Sequence, residues 1–114
     1  MRRSTHPFSP RFGALVAALC LALGTPLAHA DVSQSVLEKA DALLKAGSAE
    51  EAYQLLEPLE LQGAGDPVYD ALLGTAALES KRPSKATFVY ERILAVTPEY
   101  VGIRADMGRA YFCL

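Results

Sequence analysis

The sequence predicts an all-α protein, built of antiparallel helix pairs stacked as a short solenoid after an N-terminal export signal. Two observations point there. The first is helical periodicity throughout residues 33–112 with no competing alternation of strand type. The second is an internal repeat: Gly74 and Gly108 are 34 residues apart, each preceded by a long apolar residue, Leu73 and Met107. A fixed period of this length marks a stacked-helix array, in which one supersecondary unit buries its apolar face on the next.

Residues 1–30 precede the repeat and read as a signal peptide. Met1 to Phe12 carries Arg2, Arg3 and Arg11 and no acid, and Gly13 to Leu23 is an almost unbroken apolar run. Gly24-Thr25-Pro26 breaks it, and Ala28-His29-Ala30 supplies small residues around a cleavage site after Ala30. The apolar run falls short of the ~20 residues a membrane span needs. Cys20 follows Leu19 rather than the small residue a lipid-attachment signal wants, so it reads as apolar filler. The expected location of residues 31–114 is therefore the periplasm, or in association with the outer membrane.

Residues 31–114 hold 8 Lys and Arg against 13 Asp and Glu, a net charge of −5. Without a basic stripe, nucleic acid is excluded as the expected partner. This segment has no His, no Trp and the single Cys113. It cannot build a histidine-based triad, a His-bearing metal site or an internal disulfide from its own residues. The expectation is no catalysis, no cofactor and no metal. Glu57, Glu60, Asp66 and Asp70 lie near helix ends and a turn, where carboxylates are ordinarily solvated or capping.

Five helices are expected. The first covers about 33–46, with Val36, Ala40, Leu43 and Leu44 on one face and Gly47 as its stop. Ser48-Ala49-Glu50-Glu51 reads as a capping box opening the second helix, which carries Ala52, Leu56 and Leu59 and is kinked or shortened by Pro58. Gln62 to Asp66 is a turn, Asp66 a cap, and Pro67 the first turn of the third helix, which buries Tyr69, Leu72, Leu73 and Ala76. Pro83 opens the fourth, with Ala86, Val89, Tyr90, Ile93 and Leu94 inward. Thr97-Pro98 opens the fifth, carrying Val101, Ala105, Gly108 and Phe112.

The offsets within the period carry a resemblance. Leu73-Gly74, then Ala86-x3-Tyr90, then Pro98, followed by Met107-Gly108-x2-Tyr111, resembles the signature of the tetratricopeptide-repeat (TPR) family. One period earlier stand Ala40, Leu43, Ala52 and Leu56, all small or apolar. The repeats are then about 33–66, 67–100 and a partial 101–114. The resemblance implies a protein-binding scaffold whose groove is lined by the first helix of each pair. Those groove positions are Leu37, Asp41 and Leu44, then Ala71, Thr75 and Leu78, then Ala105, Arg109 and Phe112. Family members that grip a C-terminal carboxylate use Lys, Arg and Asn there; this sequence has Asp41, Thr75 and Leu78 and no Asn.

Three phrases, Tyr53 to Leu59, Leu72 to Leu78 and Gly108 to Phe112, are similar to exported bacterial TPR segments that precede an outer-membrane β-barrel, as in surface lipoprotein assembly modifiers. Tyr111-Phe112-Cys113-Leu114 is an apolar finish without a helix cap. The expectations drawn from it are a truncated frame and self-association through the fifth helix, with Cys113 either a surface thiol or buried filler.

Overall fold

The computed structural model describes residues 31–114, and the signal-peptide assignment lies outside the described residues. The elements are α1 (Gln34–Lys45), α2 (Ala49–Leu56), a 3-10 turn (Glu57–Leu59), α3 (Glu60–Gly63), α4 (Pro67–Glu79), α5 (Pro83–Val96) and α6 (Ile103–Phe112). No strand occurs among the described residues. The short connections turn the chain back on itself, so α1 packs on α2, α4 on α5, and α5 on α6. Between the pairs, α4 also packs against both α1 and α2.

Local chemistry sets the boundaries. Ser33 caps α1, its hydroxyl accepting from the Val36 amide, and the Asp66 carboxylate accepts from Val68 N–H at 2.9 Å ahead of Pro67. Both α1 and α4 end in the same motif. Gly47 stands at φ +81° and Lys81 at φ +70°. The next amide reaches back five residues, Ser48 N–H to Leu43 C=O and Arg82 N–H to Ala77 C=O, each at 2.8 Å. These two left-handed positions are themselves 34 residues apart. Lys81 holds without glycine a conformation that costs an L-residue about 1–2 kcal/mol.

Two of the expected helix starts are corrected. Ser48 makes no side-chain bond to the first turn of α2. Its ψ of 58° is outside the extended region from which an N-cap hydroxyl reaches the N2 or N3 amide, so the capping box does not form. Glu50 and Glu51 instead favour that end through the helix dipole. Further on, Thr97-Pro98 opens a turn rather than a helix. Gly102, at φ +87°, interrupts the backbone, and α6 starts only at Ile103. Its inward face is then Ile103, Met107 and Ala110, while Val101 and Phe112 are more than nine-tenths exposed.

Two apolar clusters form the core. One joins Leu37, Ala40, Leu56, Tyr69, Leu73 and Val89; the other joins Ala77, Ala86, Tyr90, Ile93, Ile103 and Ala110. Positions 34 residues apart share their burial here: Ala52 and Ala86, and Leu56 and Tyr90, are all fully buried. Gly74 allows the Tyr90 ring to lie directly on the α4 backbone, since a Cβ there would overlap the ring carbons.

The two buried tyrosines differ in a testable way. Pro58 ends the regular ladder of α2, and the Glu60 amide bonds Glu57 C=O, so Leu56 C=O takes the Tyr69 hydroxyl at 2.6 Å instead. The Tyr90 hydroxyl is enclosed without a hydrogen-bond partner among the described residues, although Thr75 lies nearby. Tyr69→Phe is expected to cost about 1.5 kcal/mol, because it strands a buried carbonyl. Tyr90→Phe is expected to be neutral or to stabilise by up to about 1 kcal/mol, because it removes an unpaired hydroxyl. Urea melts of the two variants decide it; equal losses would contradict this assignment of the two hydroxyls.

Candidate protein-binding groove

Two open clefts run along the first helix of each pair. The first, of about 280 Å³, lies between α1 and the start of α4, with Tyr100 of the α5–α6 turn closing one side. The second, of about 630 Å³, lies between the end of α4 and α6.

The first cleft brings together Leu37, Asp41 and Ala71, and the second Leu78, Ala105, Arg109 and Phe112. Leu44 and Thr75 are half-buried and line neither. Leu37 requires a correction: it is only 7% exposed and belongs to the core beside Leu56 and Leu73, touching the cleft with its edge. Its helix is the one whose apolar face lies one position away from that of α4, because repeat one has Lys39 where Leu73 stands in repeat two. Val68, Leu72 and Tyr100 complete the first cleft and were not expected there. Val68 had a signal, being an apolar residue on the solvent side of a capped helix; Tyr100 lies in a stretch expected to be helical. Gly108 and Cys113 join the second cleft, so Cys113 is a surface thiol and not filler.

The two ends of this face carry opposite charge. Glu38 and Asp41 border the first cleft, Asp41 pairing with Lys45 at 2.6 Å on the exposed surface of α1. Lys81 and Arg109 border the second, together with Glu79; Arg109 pairs with Asp106 at 2.6 Å. Phe112 offers a ring that is 92% exposed between them and the helix end. Exposed pairs of this kind are easily exchanged for contacts with a partner, since each is worth little in water.

A separate charged cluster joins α3, α4 and α5. Asp70 is 1% exposed, which corrects its reading as a solvated or capping carboxylate. It takes two bonds from Arg92, Nη2 to Oδ1 at 2.6 Å and Nε to Oδ2 at 3.0 Å, and one from Gly65 N–H at 2.9 Å. Glu60 bridges Arg92 at 3.0 Å and Lys85 at 2.6 Å, and the Arg92 guanidinium lies over the Phe88 ring. Every carboxylate here is neutralised by a cation, so the cluster is a clamp rather than a poised acid–base pair. At the other end of α4, Arg82 grips Glu50 with both nitrogens, at 2.7 and 3.0 Å, and covers the Tyr53 ring.

Burial pushes the Glu60 carboxyl upward, but the bonds from Lys85 and Arg92 outweigh it and leave its pKa below the ordinary 4.5. A carboxyl depressed by folding stabilises the fold above its unfolded pKa and loses that contribution as the pH falls through the folded value. Glu60→Gln is therefore expected to lower stability by about 1 kcal/mol at neutral pH. The difference from wild type should close below pH 4.5, which melting curves across that range would show. A gap that persists at the acid end would mean Glu60 acts by packing alone.

Among the described residues no group of three His, Cys, Asp or Glu side chains is placed to hold a metal, and no helix is long and apolar enough to cross a membrane. Comparison with protein-family models, with curated proteins and with solved structures finds no match.

Proposed function

We propose that this chain is a non-catalytic, TPR-type scaffold of the bacterial periplasm or envelope, which holds a peptide or helix of another protein along α1, α4 and α6. One observation carries the reading. Six of the nine residues expected to line a groove, with the edge of a seventh, Leu37, border two clefts along α1, α4 and α6. The second helices, α2 and α5, are committed to the core through Leu56, Val89, Tyr90 and Ile93.

The chemistry of that face suggests the ligand. Apolar contact is offered by Val68, Leu78 and Phe112, with an acidic border at α1 and a basic one at α6. A segment with an apolar middle, a cation at one end and an anion at the other fits it. Charged rims of this kind set orientation and encounter rate more than affinity.

Charge reversal at the basic end tests the proposal. Lys81 and Arg109 are both exposed, so the double variant Lys81→Glu, Arg109→Glu should keep its helical circular dichroism. It should lose the proteins that wild-type chain captures from a periplasmic extract. Capture of the same proteins in the same amounts by the folded variant would sink the groove assignment.

A further inference from the structure

Twice in this fold a guanidinium joins carboxylate and aromatic ring. Arg82 grips both oxygens of Glu50 and covers the Tyr53 ring at 4.2 Å. Arg92 spans Asp70 and Glu60 and lies over the Phe88 ring at 5.6 Å. The first cleft holds the same ingredients without the cation. Glu38 and Asp41 border it, three residues apart on α1 and therefore side by side. Tyr100 closes another side, and Val68, Ala71 and Leu72 supply an apolar floor. No Lys or Arg lines it. Among the described residues Glu38 takes only the side-chain amide of Gln34, at 3.3 Å, and Asp41 is held by Lys45 in an exposed pair that a ligand can exchange. All four arginines of residues 31–114 are engaged elsewhere, Arg104 on Pro98 C=O and Arg109 on Asp106. The sequence leading into the cleft offers no cation either, since Phe12 to Glu38 contains no Lys or Arg. The walls of the cleft are α1, α4 and the turn between α5 and α6, so it is an internal feature of the stack and not an end face.

We propose that the first cleft takes an arginine side chain of the bound segment, with an aliphatic residue beside that arginine in the partner's sequence. This rests on the groove reading above and sets the direction of the segment, its arginine end at α1. A volume of about 280 Å³ admits one long side chain; pockets that enclose a whole small ligand run from about 300 to 1,000 Å³. The arginine stem and its aliphatic neighbour cover the floor at Val68 and Leu72. The planar fork carries five N–H donors, enough to bond Glu38 and Asp41 together, and Asp41 exchanges Lys45 for it. A lysine brings a single point charge on a flexible stem and spans two carboxylates less well.

The probe is a phage-displayed library of random twelve-residue peptides, selected on the full chain. Selected peptides should carry an arginine next to Leu, Ile or Val several times more often than the starting library. The strongest of them, synthesised and titrated, should lose about tenfold in affinity when its arginine becomes citrulline, which keeps the shape without the charge. Replacement by lysine should cost about threefold. Against the full chain carrying Glu38→Gln and Asp41→Asn, the three peptides should bind alike while helical circular dichroism and melting temperature hold. Selected peptides without arginine, or an arginine preference that survives the double substitution, overturn the inference and leave the groove reading standing. Enrichment of no peptide at all overturns both. A dimer of the chain that the double substitution dissolves also overturns the inference, because an arginine of a second copy would then fill the cleft.

Discussion

Asp70→Ala should lower the stability of the fold by about 3 kcal/mol, visible as a melting temperature reduced by about 15 °C. The physical reason is that three donors converge on one buried carboxylate. Its removal strands the Gly65 amide and takes both short bonds from Arg92. Breaking one partner of a buried pair typically costs about 3–5 kcal/mol, and the lower end applies here. Arg92 is about one-fifth exposed, keeps its bond to Glu60, and can turn toward water over Phe88. Asp70→Asn should cost less, because an amide oxygen can still accept from Gly65. Removing the cation as well should recover part of the loss, so Asp70→Ala with Arg92→Met is expected to be more stable than Asp70→Ala alone. A single substitution that costs under about 1 kcal/mol would mean that the pair is solvated in solution. The consequence for function is indirect. The clamp fixes α4 against α5 and the preceding turn, and α4 contributes to both clefts.

How far the sequence foretold the molecule depends on whether each position answers to a local or a distant rule. Helix starts at Pro67 and Pro83, the Asp66 cap, and the inward residues Tyr69, Leu73, Ala86, Val89, Tyr90 and Ile93 were legible, because proline geometry and 3.6-residue periodicity act within a few residues. The 34-residue spacing singled out Gly74, and the Tyr90 ring lying on it shows why a larger residue would not fit there. What failed needed information from elsewhere in the chain. The Ser48 capping box matched a pattern but not a backbone angle, since the Gly47 turn sets the ψ of Ser48. Lys81 in a left-handed conformation has no residue-type signal; only its position one period after Gly47 could have suggested it. Asp70 looked like any carboxylate of a first helical turn until Arg92, 22 residues on, closed over it. The residues expected to line a groove were chosen by the repeat phase, and that phase says nothing of which side chains meet across the helices. Leu37 slid into the core because α1 has a poorer match to that phase than α4, and the charge difference between the two clefts required knowing which side chains share them.

The two repeat glycines should respond oppositely to the same substitution. Gly74→Ala is expected to destabilise by about 2 kcal/mol, and Gly108→Ala to stabilise by about 0.5–1 kcal/mol. In a helix interior, alanine is intrinsically better than glycine by nearly 1 kcal/mol, and that gain applies at both sites. At Gly74 it is overwhelmed. The added methyl would overlap the Tyr90 ring carbons, and the fully buried ring is boxed in by the second core cluster. Relief would require α4 and α5 to move apart, loosening the contact on which α6 also depends. At Gly108 the methyl meets nothing within 4 Å, and the residue has no positive φ to lose. Paired thermal melts read the contrast directly, with Gly74→Ala falling by about 10 °C and Gly108→Ala rising by a few degrees. The shorter side chain in Tyr90→Leu should partly rescue Gly74→Ala, because the ring is what the methyl strikes. If both glycine variants instead lost stability equally, Gly108 would have to be covered in solution as Gly74 is.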